Sequence, residues 1–97
     1  MIIAQFSIAP VGKGTSVHSY VQPVIDVLKK ENIFFLKTNP MSTIIEVASL
    51  EQLFSVVTKA HNEVLNAGAQ RVITELKIDD RQDKKVTMSS KINSLEL

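Results

Sequence analysis

The chain has 97 residues, 44% hydrophobic and 22% charged, with a formal net charge of +1 and no cysteine. That length and balance fit one globular domain over residues 1–97, large enough to bury a modest core. They exclude a disulfide framework, a thiolate nucleophile and a Cys-ligated metal. The near-neutral charge argues against a nucleic-acid footprint, because Lys29-Lys30 and Lys84-Lys85 are pairs beside acids and not a basic face.

Ile2 to Ala9 alternates, with Ile2, Ala4, Phe6 and Ile8 on one face and Ile3, Gln5, Ser7 and Ala9 on the other. A period of two with one apolar face predicts a half-buried strand. The same stretch lacks the charged region and long apolar run of a signal peptide, and no apolar run approaches the ~20 residues of a membrane span. The expectation is a cytoplasmic protein with no membrane contact.

Pro10, Gly12 and Gly14 supply a turn, and Thr15-Ser16 offers an N-cap. Val17, Tyr20, Val21, Val24, Ile25 and Leu28 then fall at helical spacing. Pro23 lies inside this helix and predicts a kink, since an interior proline loses a donor and crowds the preceding turn. Asn32 closes the helix. Ile33 to Thr38 reads as a second strand, broken by Asn39-Pro40. Ser42 to Ala48 reads as a third, with Thr43, Ile45 and Val47 on one face and Ser42, Ile44, Glu46 and Ala48 on the other.

Ser49-Leu-Glu-Gln52 has the form of a capping box. Leu50, Leu53, Phe54, Val57, Ala60, His61, Val64 and Leu65 trace an amphipathic helix that Asn66 and Gly68 end. Arg71 to Asp79 alternates as a fourth strand, and Lys84 to Leu97 is weakly helical, with Val86, Ile92 and Leu95 available to dock. Two strand-helix-strand halves without a linker, each needing a right-handed crossover, interleave into a ferredoxin-like βαββαβ sandwich. The expected α+β fold is a four-stranded antiparallel sheet in the order 4-1-3-2, with two helices on one face and a short C-terminal helix.

Two helices leave one sheet face uncovered. On it the alternation places Ile3, Gln5 and Ser7; Ser42, Ile44 and Glu46; and Ile73, Glu75 and Lys77. A surface part apolar and part polar suggests an interface, so a homo-oligomer packed by sheet faces or edges is expected. The plainer reading is a monomer with scattered exposed isoleucines. Glu46 is the candidate binding residue, with Ser42 beside it and Gln5 or Ser7 on the neighbouring strand. An aminopyrimidine could offer a buried carboxylate the donors it needs. The bland alternative is that Glu46 pairs with Lys77, pairs with another subunit's cation, or is solvated. Thr43 starts out toward the helices and reaches a ligand only from the strand's edge or through its backbone.

Other residues carry weaker signals. His61 borders the apolar stripe of the second helix without a nucleophile or orienting group in view, and neither it nor His18 has metal-site spacing. Gly12-Lys13-Gly14-Thr15-Ser16 lacks the full P-loop pattern, although amides at a helix start can hold an anion. Asp79 to Asp83 reads as a polar turn and not as a calcium loop. Phe34, Phe35 and Tyr20 read as core and not as a stacking platform.

Pro10-Val-Gly-Lys-Gly-Thr-Ser-Val-His-Ser-Tyr-Val21, Pro40-Met-Ser-Thr-Ile-Ile-Glu46, His61 and Gly68-Ala-Gln-Arg-Val-Ile-Thr-Glu-Leu-Lys-Ile-Asp-Asp-Arg81 together resemble the small YkoF-like thiamine-binding family over nearly the whole chain. The resemblance implies a ferredoxin-like fold and dimers or tetramers formed through the sheets. It implies thiamine or its hydroxymethylpyrimidine moiety as ligand, as for some members of a family with no established catalysis; the residues themselves give no reason to expect a metal or other cofactor. It also implies a pocket that includes Ser42, Thr43 and Glu46, with Ser16 and the turn before it as a second wall; strand pairing, not the resemblance, adds Ser7. Arg71 and Asp79 could serve subunit contacts. A structural or regulatory oligomer without a ligand is the alternative, and an enzyme using His61 or Glu46 as a base ranks last, because the fold alone hosts many activities.

Overall fold

The computed structural model describes residues 1–12, 18–31, 33, 35–38, 41–85 and 87–95. The elements run β1 (Ile2–Pro10), α1 (His18–Lys30), β2 (Phe35–Thr38), β3 (Thr43–Val47), α2 (Leu50–Asn66), β4 (Val72–Asp80) and α3 (Met88–Asn93). The sheet order is β2-β3-β1-β4, which is the expected 4-1-3-2 read from the other edge. All pairings are antiparallel, with Phe6 opposite Thr43 and Leu76 in the β1 ladders.

Alternation decides the layers. Ile2, Ala4, Phe6, Ile45 and Val47 are buried on the helix side, against Val24 and Leu28 of α1 and Leu53, Val56, Ala60 and Val64 of α2. Ile8, Val72 and Leu76 pack at the margin of this core. Ile78 departs from the expected pattern. It shares the inward face but remains exposed, because β4 is an edge strand.

The helix boundaries have local causes. Ser49 Oγ accepts from the Gln52 amide at 3.1 Å, while the Gln52 side chain reaches back to the Ala48 amide at 3.1 Å, one residue before the N-cap. The α2 segment ends at the Ala67 C-cap, and Gly68 follows at φ +109°, a left-handed conformation that favours glycine. The α1 segment is helical on both sides of Pro23, and Lys29 and Lys30 complement the negative end of its dipole. Thr15-Ser16, Gly14, Asn32, Phe34, Asn39-Pro40 and Val86, each assigned a role above, lie outside the described residues.

The third helix lies on the other face. Glu46 and Asp79 both pair in register with Ile3, on the side away from α1 and α2. Met88 at the start of α3 bonds Glu46, and Lys91 forms an ion pair with Asp79. Met88 is the buried anchor; Ile92 and Leu95, available to dock by their hydropathy, stay exposed.

Candidate functional site

The uncovered face is organised in cross-strand rows. Ser7 of β1 opposes Glu75 of β4. Gln5 opposes Lys77 on one side and Ile44 on the other. Ile3 opposes Asp79 and Glu46. Because side chains of one parity share a face, Ser7, Glu75, Gln5 and Lys77 gather in two adjacent rows, with Ile44 beside Gln5, while Ile3 stands between Glu46 and Asp79 in the next row.

At the Ser7 end lies an open groove of about 310 Å³, lined by Gln5, Phe6, Ser7, Met41, Ser42, Glu75, Leu76 and Lys77. Gln5 Nε2 donates to Ser42 Oγ at 2.7 Å, which ties the start of β3 to β1 within the groove lining. Ser7 and Ser42 are half-buried, whereas Gln5, Glu75 and Lys77 are exposed. The groove therefore offers two hydroxyl groups at its base with an amide, one acid and one base at its edge.

Glu46 stands apart. It is four residues from Ser42, about 13 Å along an extended strand, and does not line the groove. It is only 6% exposed, buried beneath α3. Its Oε2 accepts from the Met88 backbone N–H at 3.2 Å. Lys77, the partner considered from sequence, stands in the neighbouring row beside Gln5, with β1 between its strand and that of Glu46. Thr43 is buried on the helix side opposite Phe6, across the sheet from Ser42 and Glu46. Ser16 lies outside the described residues.

The structure thus brings Ser7 and Ser42 together, with Gln5, Glu75 and Lys77 added around them. Parity had put all five on one face. What it could not give was the depth of the groove, which depends on the path of the chain into β3. Met88 had no usable signal, since the C-terminal stretch has no strong hydrophobic period.

His61 occupies a different place. Its Nδ1 lies 2.6 Å from Thr74 Oγ1, half-buried between α2 and β4 on the helix side. Among the described residues no group of three or more His, Asp or Glu is placed to hold a metal ion, and no helix is long and apolar enough to cross a membrane. A second, shallower hollow of about 510 Å³ lies at the start of α2 beside Arg81 and Asp80. Arg81 there is engaged with Asp83 through two contacts at 2.5 and 2.9 Å.

Comparison with known proteins places this geometry. The chain is 39% identical to the UPF0045 protein MJ1052 of Methanocaldococcus jannaschii over 97% of its own length and 91% of that protein's. The crystal structure of that hypothetical protein superimposes with a TM-score of 0.87 at 40% identity, covering 96% of this chain and 93% of the other. A Bacillus cereus domain of unknown function, DUF77, gives a TM-score of 0.82 at 32% identity, with 94% and 86% covered. A Thermotoga maritima protein assigned provisionally to thiamine biosynthesis or salvage shares the fold, with a TM-score of 0.78 at 16% identity and 95% of each chain covered. The family model described as thiamine-binding protein matches residues 4–96. The chain belongs to the thiamine-binding protein family.

Proposed function

We propose that the chain is a non-catalytic binding protein for thiamine or its hydroxymethylpyrimidine moiety, acting as a homo-oligomer in the cytoplasm. The observation that carries the reading is the groove floored by Ser7 and Ser42 and edged by Gln5, Glu75 and Lys77, in a chain of this family. Its volume of about 310 Å³ suits a small molecule, since ligand sites start at roughly 300 Å³. Gln5, Ser7 and Ser42 carry both donors and acceptors for an amino group and a ring nitrogen. Glu75 offers an anion to the thiazolium cation that thiamine carries, and Lys77 a further donor. The non-catalytic part of the reading is supported by His61, which is tied to Thr74 on the opposite side of the sheet from the groove.

The oligomeric part is supported by the edge strand β4. It runs nine residues without proline and has one free edge, the kind of edge that invites pairing. Leu50, Phe54 and Leu65 of α2, together with Ile78, remain exposed on the helix side, where the His61–Thr74 contact joins α2 to β4. The same feature favours a second reading, a structural or regulatory homo-oligomer that binds nothing in the groove.

Isothermal titration calorimetry with thiamine and with hydroxymethylpyrimidine separates the two. The binding reading expects heat for at least one of them, weakened in Ser42→Ala and in Glu75→Gln. Absence of heat at high micromolar protein, or equal affinity in both variants, rejects it in favour of the second.

A further inference from the structure

We infer that α3 is a displaceable strap: it closes the Glu46 end of the ligand-bearing face, and a ligand with adjacent N–H donors takes the Glu46 carboxyl group by releasing it. This rests on the binding reading above and extends it from the open groove to the covered half of the same face.

The first ground is the state of Glu46. A carboxylate has about four acceptor positions, and a buried one needs several donors to offset the loss of water. Glu46 is buried in a central strand, yet among the described residues it accepts one hydrogen bond, from a neutral amide at 3.2 Å. A residue needed only to receive the Met88 amide could be Gln, with no charge to desolvate. The acid is under-used in the closed arrangement.

The second ground is the weak anchorage of α3. The helix has six residues, too few to be stable without docking. One side chain, Met88, is buried; Ile92 is exposed along the helix and Leu95 just beyond it. Among the described residues the other tie is the Lys91–Asp79 ion pair, whose side chains are about half exposed, and such pairs hold little. Residues 81–85, the first part of the connection from β4 to α3, are exposed. Segments with few buried contacts open at low cost. The Thr87–Ser90 capping box organises the first turn from within, so α3 docks as one element and unwinds as one on release.

The third ground is chemical competition on one surface. An amino N–H beside a protonated ring nitrogen, as on an aminopyrimidine edge, presents two charge-assisted donors to one carboxylate. Such bonds are about twice as strong as neutral ones. They would replace the single Met88 amide, and Ile3 and Ile44, which flank Glu46 toward the groove, would supply an apolar floor. Binding at Glu46 and docking of α3 are then mutually exclusive, and the ligand shifts the population by its preference for the open form.

Amide hydrogen exchange followed by NMR on the full chain tests this, with and without saturating hydroxymethylpyrimidine or thiamine. Release predicts that the Met88, Lys91 and Ser94 amides lose about tenfold or more of their protection on binding, while amides of β1 and β3 do not. Lys91→Glu, which sets like charges beside Asp79 on an exposed helix, should bind about twofold to fivefold more tightly. Glu46→Gln should bind more weakly while Met88 stays protected when ligand is added. Binding with α3 protection unchanged or increased overturns the strap and leaves the binding reading standing, as does Lys91→Glu with unchanged or weaker affinity. No binding by either the natural chain or Lys91→Glu overturns both.

Discussion

Gln5 Nε2 donates to Ser42 Oγ across the mouth of the β1–β3 ladder, and Thr43, the next residue, points to the opposite side of the sheet. One residue of chain therefore separates a groove side chain from a core side chain. Ser42→Ala removes the acceptor for Gln5 and one hydroxyl from the groove. On this half-exposed site the stability cost should be small, whereas loss of a ligand hydrogen bond should weaken affinity by up to about tenfold. Thr43→Val, of nearly the same shape and on the other face, should leave affinity unchanged. Calorimetry on the two variants decides between them; equal losses would mean that the ligand does not occupy this groove.

The second helix makes a prediction about folding and not about binding. Ser49 Oγ satisfies the Gln52 amide at the start of α2, and Leu53, one turn in, is wholly buried against the sheet. Ser49→Ala should cost about 1 kcal/mol. Leu53→Ala should cost 2–5 kcal/mol as a rough range, because it removes buried methyl groups and leaves a cavity. Urea denaturation at unchanged slope measures both. If the Ser49 variant were the more damaging, the cap would have to support more than the first turn.

These two contrasts also show what the sequence could carry. Strand alternation placed Ile2, Ala4, Phe6, Ile45 and Val47 inward and Gln5, Ser7, Ser42 and Glu46 outward, because parity is a one-dimensional property. The helix stripe of α2 and its Ser49 cap are local for the same reason. Docking of α3 is not local. Met88 meets Glu46 across 42 positions, through a tail in which Ile92 and Leu95 look the better anchors by hydropathy. Glu46 thus read as an open acid when it is a covered one. The groove was half legible: its face was set by parity, but Glu75 and Lys77 join Ser7 and Gln5 only through the β1–β4 register, which no pattern within one strand specifies.

At the turn after β4, the Arg81 guanidinium grips Asp83 and holds its carboxyl below the usual aspartate range; burial and backbone bonds are lesser influences. A depressed folded-state value stabilises the turn above the ordinary aspartate range, and that contribution disappears as pH falls through the folded value. Arg81→Ala should return Asp83 upward toward its ordinary titration, as read by carbon NMR of the side-chain carboxyl. Both groups are fully exposed, so global stability should barely move. An unchanged Asp83 titration would show that the pair does not persist in solution.

The free edge of β4 carries the last prediction, which rests on the proposed oligomer. Strand β4 runs from Val72 to Asp80 with Leu76 at its centre. If a second copy pairs antiparallel about Leu76, the whole strand finds a partner, and Glu75 of each copy stands opposite Lys77 of the other. Opposite charges directly across a ladder stabilise it, and like charges there oppose it. Shifting the centre to Glu75 or Lys77 would set that residue against its own copy, so the charge pattern selects the Leu76 register. Glu75→Lys should therefore weaken self-association, and Lys77→Glu should do the same by placing two acids together. The double variant, carrying both reversals, should recover it. Sedimentation velocity over a range of concentrations reads all three. Recovery in the double variant is the decisive result, because general loss of charge or damage to the fold would not be repaired by a second reversal. If both single variants associate as the natural chain does, β4 is not the contact. The groove would then be built by one chain alone.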